Sequence, residues 1–504
     1  QNTMSSSTSR LFQPITVGQM RLNHRVVLAP LTRVRTDKYH VPSLPVMKEY
    51  YAQRASTPGT FLITEATFIA PEAGGLKHVP GIYNQDQAAA WTNITESVHS
   101  KGSFIFCQLW AMGRQANKAH LKEDDPSFSV VGPSAIAIKR EGARTPCELT
   151  IPGIKDYVQR YTAAARRAVH DAQFDGVEIH GANGYLIDEF LQDVSNQRQD
   201  EYGGSVERRS RFGLEVVKAV VDAVGTAKKV GIRLSPWSTF GDLQRFWKGM
   251  GMKDPIPQFT HFVTTLKQEF PDLAYIHIIE PEVVGDKDNH DSVKHANNDF
   301  LREIWTPSPY LTAGGYDRQK GIREADARSN ELVVFGRTFI ANPDLPIRLE
   351  KDVPLTPYDR TNGTAYQSPL VPILLQILSD AQPPRGSVFE VARDKVIQIA
   401  ILAFRLEGPI LSIYTTATVS IRFKSEIWNH GSSIDTSTSI SKSEPTPLAV
   451  HCARSDCFYR GLIMVIAEAP EDTNPFQDDP PADWHQLCDN WNCRTDDVKH
   501  AGGN

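Results

Sequence analysis

The sequence predicts an α/β fold of the (β/α)8 barrel type, on three observations. Short apolar runs suited to buried strands alternate with helix-period stretches, eight times over roughly 330 residues, which fits a barrel better than an open sheet. Most of these runs stop at polar or glycine residues: Thr32, Gln108, His180, Arg233, Gly314 and Gly336-Arg337. Beyond about Pro369 the alternation ends. In such barrels the site lies at the strands' C-terminal face, so residues far apart in sequence converge in one mouth.

In chain order, Leu11 to Gln19 reads as a lead-in and Arg25 to Pro30 as the first strand. Helical spacing around Pro45 to Ala55 precedes a second strand, Thr60 to Glu65. Gln85 to Lys101 is helical, and Ser103 to Leu109 is the third strand, running into Trp110. A polar excursion, Met112 to Pro152, carries proline and glycine punctuation. Ile154 to Gln173 is an amphipathic helix leading to the fourth strand, at Gly176 to Ile179. Then follow helix Arg208 to Ala223, strand Lys229 to Leu234, helix Pro257 to Phe270 and strand Leu273 to Ile279. Helix Asn298 to Trp305, strand Tyr310 to Ala313, helix Lys320 to Arg328 and strand Glu331 to Phe335 complete the set.

Composition narrows the class. The 504 residues are 40% hydrophobic and 22% charged, which suits a soluble globular chain with a sizeable core. A net charge of -5 lacks the basic excess of a dedicated nucleic-acid binder. No apolar run approaches the roughly 20 residues that span a bilayer. The Ser/Thr-rich stretch 1–10 lacks the apolar core of a secretory signal, so a cytoplasmic location is expected. Four of the six cysteines, Cys452, Cys457, Cys488 and Cys493, crowd into the last part of the chain. Their spacing fits neither a tight zinc knuckle nor an iron–sulfur pattern, and no metal is expected.

The fourth strand organises the site. It ends in His180-Gly-Ala-Asn183-Gly-Tyr185, a histidine, an amide and a phenol on a glycine-loosened turn. These supply hydrogen-bond donors for an oxygen and a candidate acid. Alone, the segment reads equally as a strand-to-helix turn with a capping Asn.

Taken together, Leu28 to Arg33, Cys107-Gln108-Leu109-Trp110, His180 to Tyr185 and Gly231 to Pro236 resemble the Old Yellow Enzyme family. So do Leu191-Gln192-Asp193, Asp200 to Ser205, Ala313-Gly314-Gly315 and Phe335 to Leu345. The resemblance runs from about residue 11 to 360, with the flavour of the fungal secondary-metabolite branch. It implies a TIM barrel holding FMN and reducing an activated C=C bond, conjugated to a carbonyl, with NADPH. By position it implies that Pro30, Leu31 and Ala66 line the flavin ring, and that Thr32 bonds its C4 oxygen. Gln108 would bind the pyrimidine edge, and Arg233 would lie near N1 and the C2 oxygen. Gly314, Gly315, Gly336 and Arg337 would hold the phosphate.

His180 and Asn183 would grip the oxygen of a small-molecule enone or enal. Hydride would come from flavin N5 and the proton from Tyr185. An ordinary phenol, with pKa about 10, stays protonated at neutral pH. Trp110 would shape the substrate pocket. A monomer or homodimer is expected, with no nucleic acid and no membrane among its partners. Two other readings share this architecture: a double-bond isomerase, and a non-catalytic flavin-binding remnant.

The chain leaves the family pattern after Arg360, where a closing segment would normally follow; Tyr366 stands in for its tyrosine. The expected organisation is an unstructured 1–10, a barrel over 11–368 and a non-family extension over 369–504. That extension is Ser/Thr-rich, then acidic and proline-rich, a composition of disordered segments.

Overall fold

The computed structural model describes residues 9–138, 144–238 and 250–359, except 285–286 and 289–295, with backbone alone at 284, 287 and 288. It also describes the backbone of two short antiparallel strands, Ile421–Phe423 and Val465–Ala467. Contacts divide the chain into two units, Gln1–Tyr366 and Gln367–Asn504. Tyr366 and the four C-terminal cysteines lie outside the described residues.

Eight parallel strands close the barrel of the first unit: Val26–Leu28, Phe61–Ile63, Phe104–Trp110, Gly176–Gly181, Val230–Leu234, Tyr275–Ile279, Tyr310–Ala313 and Glu331–Phe335. Each pairs with the next, and the eighth returns to the first, with Val334 opposite Val27. Each of the eight predicted strands is present: the first, second, fifth and sixth are trimmed by a residue or two at one or both ends, the third is shifted one residue onward, the fourth runs two residues further to Gly181, and the seventh and eighth match. Their ends follow the sequence signal because each apolar run buries on both faces, as parallel strands in a barrel do.

The two faces have different work. Val177 and Ile179 on the fourth strand join the outer core beneath the helices, whereas Glu178 and His180 face inward. The lumen is apolar below and polar above. A hairpin, Ile15–Val17 with Met20–Leu22, plugs the floor and packs Val17, Met20 and Leu22 with Phe61, Phe106 and Tyr275. Above this layer the inward positions become Gln108, Glu178, His180, Arg233 and His277.

The helices carry local signals. Gln85–His99 starts on a capping box formed by Asn84 and Gln87. Val206–Val224 starts on Ser205 and stops at Gly225, whose φ is 83°. The predicted helix over 154–173 instead begins at Ile151, capped by Thr150, and runs to Arg166 before a π turn over Arg167–Asp171. Pro152 sits in its first turn, where a missing N–H costs nothing. Four short helices went unpredicted, Lys118–Asp124, Leu186–Leu191, Arg337–Ala341 and Leu345–Lys351.

Candidate active site

The fourth strand delivers its motif to the barrel mouth in a defined shape. Asn183 has φ 55°, a left-handed conformation that asparagine tolerates better than most residues. Its backbone is held from two sides. The Asn183 N–H donates to Ser235 Oγ at 2.7 Å, and Gln115 Nε2 donates to the Asn183 carbonyl at 2.6 Å. The next N–H, of Gly184, donates to Asp188 Oδ2 at 2.8 Å. The side-chain Oδ1 of Asn183 is buried with no hydrogen-bond partner among the described residues.

His180 is buried among aromatic rings. Its ring centroid lies 4.9 Å from Tyr185 and 6.3 Å from Trp110, and Tyr185 lies 4.8 Å edge-on to Trp110. Burial, with the nearby Arg233 charge, pushes the His180 imidazole well below its ordinary range, so it is neutral. The Ala182 N–H donates to His180 Nδ1 at 3.3 Å. Nδ1 is therefore the acceptor, and Nε2 carries the proton. The ring is a neutral donor, suited to an oxygen rather than to acid catalysis.

The neighbouring strands carry charged and polar groups. Arg233 pairs in register with His180 on the adjacent strand, and its guanidinium hydrogen-bonds nothing among the described residues; Nε is buried and orphaned. Gln108 lies in register with Glu178 and donates from Nε2 to Glu178 Oε1 at 2.7 Å. Glu178 also accepts from Tyr275 Oη at 3.0 Å and His277 Nδ1 at 2.9 Å. Burial alone would raise the Glu178 carboxyl, but His277, Arg233 and Gln108 outweigh it and hold the group below its ordinary value.

Loops complete the mouth. Thr32 is exposed after the first strand, and the following N–H, of Arg33, donates to buried Glu65 Oε2 at 3.0 Å. Pro30 and Leu31 are half-buried beside it, and Ala66 is buried at the end of the second strand. After the seventh strand, a Cβ on Gly314 would sit 2.7 Å from Glu280 Cβ, and Gly315 has φ 68°. Neither position takes a side chain without strain, which leaves bare backbone there. Gly336 precedes Arg337 at the start of helix Arg337–Ala341, and both are half-buried.

Every predicted site residue from Pro30 to Arg337 therefore lies at or beside a strand's C-terminal end. Direct ring packing joins His180, Tyr185 and Trp110. Strand register joins Gln108, Arg233 and His180 through Glu178. Glu178, Tyr275 and His277 were not foreseen. The signal was available: a charged residue interrupts the apolar run at the position two before His180, hence on the same face. Among the described residues no cluster of His, Cys, Asp or Glu could hold a metal ion. None of the described helices is long and apolar enough to cross a membrane.

The residues present fit a flavin. An unpaired guanidinium beside an amide suits the electron-rich end of the ring, and glycine backbone with an arginine suits a phosphate.

Comparison with known proteins agrees with that fit. Residues 10–356 match the family described as NADH:flavin oxidoreductase / NADH oxidase, an FMN family. The chain is 49% identical to chanoclavine-I aldehyde reductase fgaOx3 of Penicillium roqueforti, over 72% of this chain and 94% of the relative. It is 46% identical to the NADP-dependent oxidoreductase lnbE of Aspergillus flavus, over 72% of this chain and 94% of that one. It is also 46% identical to a protein of Claviceps purpurea named a probable inactive dehydrogenase, easA, over 70% and 91%. Among solved structures, Old Yellow Enzyme from Pichia sp. AKU4542 superposes with a TM-score of 0.64 at 38% identity, covering 71% of this chain and 91% of that one.

Proposed function

The chain belongs to the NADH:flavin oxidoreductase / NADH oxidase family of FMN proteins, and from that premise we propose that it reduces the activated C=C bond of an enone or enal with NADPH. The observation that carries this reading is the ring packing of His180, Tyr185 and Trp110 at the barrel mouth, with Asn183 on the same turn and Gln108 and Arg233 on the two strands that flank His180. A relative named for aldehyde reduction and another named NADP-dependent favour an enal substrate and NADPH as reductant. FMN, held by Thr32, Gln108, Arg233 and the phosphate-binding residues, would supply hydride transfer between the nicotinamide and the substrate's β-carbon.

The chain's own residues supply the rest. His180 offers its Nε2–H and Asn183 its amide N–H to the substrate oxygen, fixing the carbonyl and stabilising the negative charge that grows there. The pinned backbone of Asn183 keeps that amide in place, so little reorganisation accompanies the step. Tyr185, packed edge-on to Trp110 and His180, donates its phenolic proton to the α-carbon. Arg233 opposes the negative charge that accumulates at its end of the site. Gln108 and Thr32 orient the ring, and Gly314, Gly315, Gly336 and Arg337 receive the phosphate.

A proton donor at position 185 favours net reduction over isomerisation, because a site without one returns the hydride instead. It also weighs against a non-catalytic remnant. Purified protein is expected to carry or take up FMN, to bleach with NADPH under anaerobic conditions, and to recover its absorbance on adding cyclohexenone. A protein that binds no FMN overturns the proposal. One that bleaches but is not reoxidised by any enone or enal overturns the reductase reading and leaves flavin binding in place.

A further inference from the structure

We propose that Glu178 is a positioning residue for the flavin pole: it holds the Gln108 amide with its oxygen turned into the site, and it offsets the charge of Arg233 so that the bound flavin is a weaker electron acceptor than Arg233 alone would make it. The inference rests on the flavin reading of the site.

Three observations converge. Glu178 is fully buried in the lumen, one layer below His180 and Arg233, where a carboxylate needs both partners and counter-charge. Its oxygens take three hydrogen bonds: Gln108 Nε2 at 2.7 Å on Oε1, then Tyr275 Oη at 3.0 Å and His277 Nδ1 at 2.9 Å on Oε2. An ionised carboxylate can only accept, so it dictates which end of the Gln108 amide faces it. The nitrogen is committed inward, and Gln108 Oε1 is presented to the site as an acceptor for a ring N–H.

The charge balance follows from the same set. His277 donates a hydrogen bond from its Nδ1–H to Glu178 and leaves Nε2 buried and unpaired, so the imidazole is neutral. Burial depresses it further. Arg233 is then the one cation facing Glu178 from the packed strands, and among the described residues it has no hydrogen bond to hold it elsewhere. A guanidinium at the electron-rich pole favours the reduced ring; a carboxylate behind it opposes that effect in a medium of low dielectric. Tyr275 moderates the carboxylate by donating to it. Glu178 acts through Gln108, which it holds by a hydrogen bond, and through the charge of Arg233.

The test is the two-electron midpoint potential of FMN-loaded protein. Glu178→Gln keeps the shape, and His277 can switch tautomer to donate nothing and accept from the new amide. Its potential is expected to rise, favouring the reduced flavin about tenfold, or about 30 mV by the two-electron constant. Tyr275→Phe removes one donor while leaving the charge, so its potential is expected to fall by a smaller amount. Shifts of opposite sign are not the signature of general loosening. If both variants bind FMN and titrate at the wild-type potential, the role assigned to Glu178 is wrong while the flavin reading stands. If wild-type protein binds no FMN, both fall together. Should Glu178→Gln take up no FMN, Tyr275→Phe decides: a lowered potential supports the proposal and an unchanged one overturns it. Loss of FMN from both variants, in proteins that melt as wild type does, would make Glu178 a binding determinant instead and overturn the tuning role.

Discussion

Tyr185 and His180 stand 4.9 Å apart, ring to ring, yet they are suited to opposite tasks. His180 is a poor acid, because burial leaves it neutral and Ala182 occupies its Nδ1 lone pair. Removing its Nε2–H and the Asn183 amide together therefore takes away oxygen binding and not a proton source. The double variant His180→Ala with Asn183→Ala is expected to keep FMN and to lose the long-wavelength charge-transfer band that phenols give on titration. Survival of that band would exclude the oxygen-gripping role. Tyr185→Phe should behave differently. Reduction by NADPH should continue at the wild-type rate, while reoxidation by an enal slows by about 10²–10⁴, the usual worth of a positioned general acid. Stopped-flow measurement of the two half-reactions separates these outcomes; equal slowing of both would assign Tyr185 to packing. The motif itself was legible because its residue types carry chemistry. The tautomer of His180 was not, since it depends on a backbone N–H two residues on.

At the scale of elements, the eight strands were readable because each is a short apolar run and most end on a polar residue or glycine. Parallel barrel strands are buried on both faces and tolerate few exceptions. Leu186–Leu191 was hidden for a related reason. It is only six residues long, begins immediately after Tyr185 and is buried all round, so it shows no amphipathic period. Glu178 and His277 were missed because they sit inside apolar runs that serve equally well as bland strands. Their meaning arises only when the fourth and sixth strands flank the fifth and point them into one lumen. Gly231, in register with Glu178 on one side and Tyr275 on the other, shows the tolerance of this layer. A Cβ there would lie 2.4 Å from the Tyr275 ring, which has Phe61 and Phe106 packed against it. Gly231→Ala is expected to destabilise the barrel by about 1–3 kcal/mol, as overpacking of a filled core does. A lower denaturant midpoint would register this, and an unchanged midpoint would mean the ring has room to move.

For the whole molecule, the notable cost is buried acid outside the Glu178 network. Burial raises Glu65 to about 7, Asp188 to about 7 and Glu189 to about 8. All three brace site loops: Glu65 receives the Arg33 N–H, Asp188 the Gly184 N–H and Glu189 the Arg114 N–H at 2.8 Å. Glu189 Oε2 has no hydrogen-bond partner among the described residues. A carboxyl whose folded pKa is raised holds a proton that the unfolded chain has already released. Its contribution therefore favours folding at low pH and is lost as pH climbs to the folded value. His24, pushed down to about 4, acts in the other direction, but only below the ordinary histidine range near 6.5. Above about pH 6.5 the buried acids titrate together with His99, which Asp175 raises, and both lose stabilising protonation as pH rises, so stability should fall between about pH 6.5 and 8. Glu189→Gln keeps an acceptor for Arg114 and removes the charge that cannot be solvated. It should stabilise the fold by about 1–3 kcal/mol at the alkaline end and less near pH 6, and raise the melting temperature accordingly. Melting curves of both proteins across pH 6–8.5, with FMN saturating, decide the matter. Parallel curves would show that Glu189 already shares its charge with Arg114, and that the slope belongs to Glu65, Asp188 and His99.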